Sequence, residues 1–334
     1  MHITGAAAAN EFRNLCQRQL TLERLSAAVG ILGLALVCFG AATEWASDEP
    51  LPAIAQGIDS LAHESVADRP RAPMSARPAG NVTGSGREIM AGGYLGMTYT
   101  RPSTVTITNP GRTAMTVGGV DWVGLPFKSP IYYGARIAHW PAAARFGTLL
   151  DFTHAKAIAP ADDEVTLTGT HDGKALPPRA KVGDIFKHFE FSHGHNMLTL
   201  NALTRLGFFR IQPYAGVGAG ISLPHTEIGF RSENGRTYEY QYAGLVGQAL
   251  AGLEIRLGGA SVFLEYKLSY SPYDVPLSGV VNGWLLVTDV WRQFKAWLAR
   301  EAPPGGRLST PLLTHHGIGG VMVRVTAAQA AGSP

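Results

Sequence analysis

The stretch "LVGQALAGLEIRLG" (Leu245–Gly258) puts Leu245, Ala249, Ala251, Leu253, Ile255 and Leu257 at odd positions and Gln248, Glu254 and Arg256 at even ones. A period of two belongs to a β-strand, whose successive side chains point to opposite faces. A soluble barrel or sandwich turns the apolar face to its core and the polar face to water. A membrane barrel inverts this, with apolar residues toward lipid and polar ones in the lumen. The polar face therefore decides the fold. One face carrying Gln, Glu and Arg opposite a purely aliphatic one predicts an all-β chain: an eight-stranded antiparallel transmembrane barrel of the outer-membrane type with long external loops. A lipocalin-like soluble barrel is the alternative.

The same alternation recurs on both sides of this stretch. "GGYLGMTYT", "IYYGARIAHW", "FGTLLDFTHAK", "HNMLTLNALTRLG" and "IQPYAGVGAGISLP" precede it, while "SVFLEYKLSYS" and "THHGIGGVMVRV" follow, making eight strands. Short links ("WPAAARF", "LGFF", "LGGA") alternate with long polar ones, as periplasmic turns alternate with external loops. Gly216, Gly218 and Gly220 in "PYAGVGAGISLPHTEI" resemble a dinucleotide fingerprint only superficially. They recur every second residue inside a strand, and no helix follows, so the chain carries no flavin or NAD motif.

Composition agrees. The 334 residues are 46% hydrophobic and 16% charged, with a net charge of +3. Such a weak charge, without a Lys/Arg tract, excludes a nucleic-acid partner. Cys16 and Cys38 lie in the first fifty residues, so no cysteine-based site is available beyond them. Arg13, Arg18 and Arg24 precede the apolar run "AAVGILGLALVCFGAA", which reads as a secretory signal. The expected organisation is a signal peptide over 1–42, a disordered Pro/Ala-rich linker over 43–86, the barrel over 87–326 and a disordered tail over 327–334.

With the N-terminus periplasmic, odd-numbered strands run outward, and ionisable residues converge on the outer rim. His154 ends the third strand, His193 and His195 start the fourth, and His225 with Glu227 ends the fifth. His225 has lipid-face parity and reaches the interior only if Pro224 breaks the pleat. Glu239 opens the sixth strand, Glu265 and Lys267 lie in the upper half of the seventh, and His315 and His316 open the eighth, with His316 facing the lumen by parity. Glu265 and Lys267 are either catalytic or a lumen ion pair. The longest loop, Pro276 to Pro311, contains "WLLVTDVWRQFKAWLAR". Its Val287, Val290, Trp291, Phe294, Trp297 and Leu298 form one helical stripe beside Arg292, Lys295 and Arg300, which suits either an interfacial helix among phosphorylated head groups or a lid over the barrel mouth.

Five segments, "VDWVGLPFKSPIYYGARIAHW", "LDFTHAK", "PYAGVGAGISLPHTEI", "TYEYQYAGLVGQALAGLEIR" and "VFLEYKLSYS", occur in an order and spacing similar to the outer-membrane lipid A oxidases of rhizobial bacteria. The resemblance covers Gly92 to Arg324. It implies O2-dependent oxidation of the proximal glucosamine of lipid A to 2-aminogluconate, releasing hydrogen peroxide, with a divalent metal ion involved. A 1-phosphate would lock the ring, so the expected substrate is 1-dephosphorylated lipid A in lipopolysaccharide, at the outer leaflet of a Gram-negative outer membrane. A monomer is expected. Position and chemistry nominate His154, His193, His195, His225 and Glu227 as metal ligands. Glu239, Glu265 or Asp289 is the candidate base, with Lys267 beside Glu265, and Arg136, Trp291, Arg292 and Lys295 are assigned to the substrate. Two alternatives remain: a non-enzymatic structural or adhesion barrel, and a lipid A hydrolase built on Ser222 and His225.

Overall fold

The computed structural model describes residues 87–141, 144–207, 210–302 and 305–325. The expected signal, linker and tail lie outside the described residues. The strands in chain order are β1 (Glu88–Asn109), β2 (Thr113–Trp122), β3 (Tyr133–Trp140), β4 (Phe146–Ile158), β5 (Glu164–His171), β6 (Lys174–Ala175) and β7 (Arg179–Lys181). After a single helical turn, α1 (Val182–Ile185), come β8 (Phe186–Arg205), β9 (Ile211–Ser222), β10 (His225–Phe230), β11 (Thr237–Tyr240), β12 (Gly244–Leu257) and β13 (Ala260–Leu277), then α2 (Leu286–Leu298) and β14 (Gly306–Arg324). Among the described residues no helix is long and apolar enough to cross a membrane.

Eight antiparallel strands close into a ring in the order β1, β3, β4, β8, β9, β12, β13, β14. β14 returns to β1, from Met90 opposite Arg324 to Thr98 opposite His316. These are the eight strands expected from the alternation. On β12 the odd row is exposed and Gln248, Glu254 and Arg256 are buried, so the apolar face points outward. Leu264 (71% exposed) and Leu245 (67%) belong to this outer belt. Water would oppose such a surface, and lipid favours it.

The strands also record where the belt ends. Along β13, Leu264, Tyr266, Leu268 and Tyr270 point outward and Glu265, Lys267, Ser269 and Ser271 inward; farther on, Asp274 points outward while Tyr273 and Val275 point inward. The two faces exchange character just beyond Tyr270, as a strand does on leaving lipid for water. β14 shows the same change, with Leu308 and Leu312 inward and Arg307 and Ser309 outward at its upper end. β1 achieves it differently. Leu95, Met97 and Tyr99 are exposed, whereas Val105 and Ile107 share their odd parity and are buried. An extra residue on β1, inserted between the pairs Thr100–Thr314 and Thr106–Ser309, reverses its faces, which is what a bulge does to a period-two pattern.

Above this level the loops are not merely polar connections, which corrects the expectation from sequence. β2 pairs with the upper part of β1, β5 with β2, and β6 and β7 with β5, while β10 joins the outer start of β8 and β11 joins β10. Val105, Ile107, Val117, Phe191, Leu308 and Leu312 pack there into an apolar core separate from the cluster lower in the ring. Thr104, Thr106 and Thr108 alternate with Val105 and Ile107, a pattern suited to a sheet with one face in water. β13 and β14 extend into this region, so the last loop spans 278–305 rather than Pro276–Pro311. His315 and His316 consequently lie well inside β14 instead of opening it.

The ring is filled, as eight strands allow. Met90, Tyr94, Trp140, Leu203, Phe263 and Met322 contribute to its lower apolar cluster. All but Tyr94 border a cavity of about 20 Å³, room for a single water. At the turn end Glu88 pairs with Arg205 (3.0 Å), Arg256 (2.9 Å) and Arg324 (3.0 Å).

Candidate active site at the loop end

A distortion of β8 separates the two histidines of "HGH". Ala155 faces His195 and Ala157 faces Phe191, leaving Ser192, His193 and Gly194 opposite Lys156 alone. Gly194 adopts φ +143°, and a Cβ there would collide with the Asn196 side chain. The bulge sends His195 inward, where Nδ1 meets the Tyr273 hydroxyl and Nε2 lies 3.5 Å from Thr314 Oγ1. His193 stays at the rim.

Pro224 performs the break that the parity argument required. β9 ends at Ser222, and β10 begins at His225, paired with β8 on one side and β11 on the other. Its ring lies 4.8 Å from that of His193, 4.3 Å from Tyr238 and 4.7 Å from Tyr240. His154 approaches from β4, stacked on Tyr133 at 4.6 Å. Asn196 ties the two sides together, because its Nδ2 donates to Leu223 O (3.2 Å) while its Oδ1 accepts from His154 Nδ1 (2.8 Å).

These hydrogen bonds fix the tautomers. A carbonyl oxygen only accepts, so His154 carries its proton on Nδ1. His225 carries its own on Nε2, which donates to Gly283 O at 2.9 Å. The opposite nitrogens, His154 Nε2 and His225 Nδ1, are therefore lone-pair bearing, and both are buried without a hydrogen-bond partner among the described residues. Burial pushes the His225 pKa down to about 3, which keeps the ring neutral. A neutral imidazole with a bare nitrogen can accept a proton or ligate a cation.

Glu227 sits on β10 beside this cluster. It pairs with the Arg236 guanidinium and with His188 Nδ1 (3.2 Å), and lies opposite Glu190 on β8. Burial, followed by the Glu190 charge, raises its pKa, while Arg236 and His188 pull it back. Ligand atoms of His188, Glu190 and Glu227 all lie within 4.8 Å of one another. One imidazole and two carboxylates form a donor set suited to a divalent cation, and two acids facing each other across a strand pair are otherwise unfavourable. The residues thus fit such an ion, though in a grouping the sequence did not suggest. Among the described residues the three-donor groups are this one and His171–Asp172–Glu233, and neither contains His154, His193, His195 or His225.

The carboxylates nominated as bases are committed elsewhere. Glu239 is buried and accepts from Ser278, Gln241 Nε2 (3.1 Å) and Arg292. Asp289 accepts the Tyr240 backbone N–H at 3.1 Å; burial raises its pKa, against the pull of that bond and of Arg292. Glu265 lies in the lower half of β13, inside the ring, where Arg136 grips it with two bonds of 2.9 Å and Tyr214 donates at 2.7 Å. Lys267 donates there to Asp151 (2.6 Å), Thr153 (2.8 Å) and the Tyr94 hydroxyl (2.9 Å). Arg136 closes the network on Asp151 at 3.2 Å. Arg136, Glu265 and Lys267 are thus placed in the barrel wall rather than at the rim, and Trp291, Arg292 and Lys295 lie on α2.

His188, Glu190, Arg236, Tyr238 and Tyr240 were not anticipated. The signal available was Asn234–Gly235 between alternating segments, a hairpin mark. It joins β10 to β11 and brings both tyrosines over His225.

No protein-family model matches the chain, and no curated protein matches it. Similar solved structures include the outer membrane protein OprG from Pseudomonas aeruginosa, 14% identical over 71% of this chain and 95% of that one, with a TM-score of 0.37. Neisserial surface protein A (NspA) is 8% identical over 71% and 96%, with a TM-score of 0.28. The outer membrane protease OmpT from Escherichia coli is 8% identical over 71% and 97%, with a TM-score of 0.33.

Proposed function

We propose that this barrel is an outer-membrane enzyme that oxidises the proximal glucosamine of 1-dephosphorylated lipid A to 2-aminogluconate with O2, at the outer leaflet. One observation carries the reading. "LDFTHAK" and "LPHTEI", two segments on which the resemblance rests, deliver His154 and His225 to the same rim, each with a buried lone-pair nitrogen.

The reaction removes the hydrogen on C1 and the proton of the anomeric hydroxyl. Two electrons and two protons reduce O2 to hydrogen peroxide, and water opens the resulting lactone to the acid. With the carboxylates engaged, the base is an imidazole. His225 Nδ1, which bears a lone pair, accepts the hydroxyl proton, with His154 Nε2 as the second acceptor. Tyr238 and Tyr240 flank the sugar and restrict water around it. Because O2 reacts slowly with closed-shell organic molecules, a divalent redox cation held by His188, Glu190 and Glu227 would supply the route for the electrons.

Expression in a Gram-negative host whose lipid A lacks the 1-phosphate tests this. In air the lipid A is expected to gain one oxygen atom on the proximal sugar relative to an empty-vector control, with no gain under anaerobic growth. Unchanged lipid A despite confirmed membrane insertion overturns the oxidase, and loss of an acyl chain instead indicates a hydrolase.

A further inference from the structure

Helix α2 is mounted the wrong way round for a water-soluble surface. An ordinary surface helix buries its apolar stripe and shows its polar side to solvent. In α2, Asp289 is buried and bonded to the Tyr240 N–H, and Gln293 both donates to Tyr240 O (2.7 Å) and accepts from Tyr242 N (3.1 Å). Arg292 reaches Glu239. The polar side is therefore the one attached to the protein. Trp284 just before the helix, then Val287, Trp291, Phe294, Trp297 and Leu298, are left outside, Trp291 at 56% and Trp297 at 70% exposure.

The height of the helix identifies what it meets. Its anchors step from Tyr240 toward Tyr242, two residues before β12 begins. The adjacent Ala243 accepts the Asp274 N–H at 3.1 Å, which sets this point just above Tyr270, where the outer face of β13 changes from apolar to polar. The helix is thus anchored at the level where the lipid-facing row begins with Leu245. Lys295 and Arg300 stand exposed beside it.

We propose that α2 docks into the lipid surface beside the barrel, its aromatic stripe at the boundary between acyl chains and head groups and its basic residues on anionic head groups. This assignment rests on the barrel and not on the oxidase reading, so it can fail or hold independently of the chemistry.

The full-length protein is reconstituted in phosphatidylcholine vesicles containing phosphatidylglycerol and lipids spin-labelled at shallow depth. Tryptophan quenching is compared between wild type and Trp291→Phe/Trp297→Phe, which spares the Asp289 and Gln293 anchors. The fluorescence lost in the variant is expected to be quenched roughly twofold more by the lipid label than by aqueous iodide. Quenching by iodide alone overturns the proposal in favour of a solvated lid. Shielding from both quenchers, with a cross-linked dimer that the double variant abolishes, overturns it in favour of a second copy of the chain. In neutral vesicles, or with Lys295→Glu/Arg300→Glu in anionic ones, the lipid quenching is expected to fall. If it does not, the head-group contact is wrong.

Discussion

The barrel wall and the loop end each bury a cluster of ionisable groups, and they do so to opposite purposes. In the wall, Arg136, Asp151, Glu265 and Lys267 balance two positive charges against two negative ones, and each is held by partners from other strands. At the rim, the Nε2 of His154 and the Nδ1 of His225 are buried with none among the described residues. Buried polar atoms are normally satisfied, so burial alone does not mark a reactive site. The wall network is closed and has nothing left to offer a ligand. Unpartnered atoms occur lower in the ring too, Gln248 Oε1 and Ser261 Oγ among them; what distinguishes the rim, among the described residues, is a bare nitrogen on each of two buried imidazoles.

The largest expected effect comes from breaking the closed cluster. Lys267→Met leaves Asp151 charged beside a single guanidinium and is expected to cost about 3–5 kcal/mol. The readout is loss of the heat-modifiable folded band and a lower urea midpoint in detergent. The double change Lys267→Met/Asp151→Leu should recover most of that stability; a double variant as unstable as the single would show that the network does more than balance charge.

Next come the histidines, where the contrast is sharpest. His154→Ala and His225→Ala are each expected to lower lipid A oxidation at least ~100-fold while the folded band persists. His195→Ala is expected to do the reverse. It loses its bond to Tyr273, costing about 1 kcal/mol, and retains turnover. Equal activity loss in all three variants would return His195 to the site and undo the distinction drawn by the β8 bulge.

The smallest effect concerns the helix anchor. The raised Asp289 pKa means that the folded protein holds a proton that an unfolded chain would already have released. That stabilisation is present below the ordinary carboxylate value and is lost as pH rises through the raised one. Tryptophan emission from α2 is therefore expected to shift as pH rises from the ordinary carboxylate range through the raised value in wild type and to remain constant in Asp289→Asn.

The wall was legible because lipid imposes a period of two over whole strands, and the odd row of "LVGQALAGLEIRLG" carries no polar side chain, even though Val246 and Leu250 share the inward face with Gln248, Glu254 and Arg256. The loop-end strands were harder to see. Their alternation has the opposite sense, apolar inward, and β1 passes from one sense to the other through a single inserted residue that leaves no mark in composition. The rim was legible as a collection of histidines, since strand direction alone carries His154, His193 and His225 to one end. Their partners were not. Which nitrogen keeps a free lone pair depends on Gly283 and Asn196, backbone and amide groups that no residue pattern announces. Glu265 and Lys267 show the converse: their parity correctly put them in the lumen, but only the register against Arg136 and Asp151 reveals that they are neutralised there.

The pairing of β1 with β14 ties Met90 to Arg324 across nearly the whole described chain. Every other seam of the ring joins strands that are neighbours among the eight, so a growing sheet can add them in order by short-range contacts. This seam cannot form until the final strand has been made, and contacts so distant along the chain are the slow ones. Until then β1 presents an open edge with unpaired backbone amides. Closure of the barrel is therefore a late and single event in its assembly, and the interval before it is when the chain most needs protection from other unpaired strands.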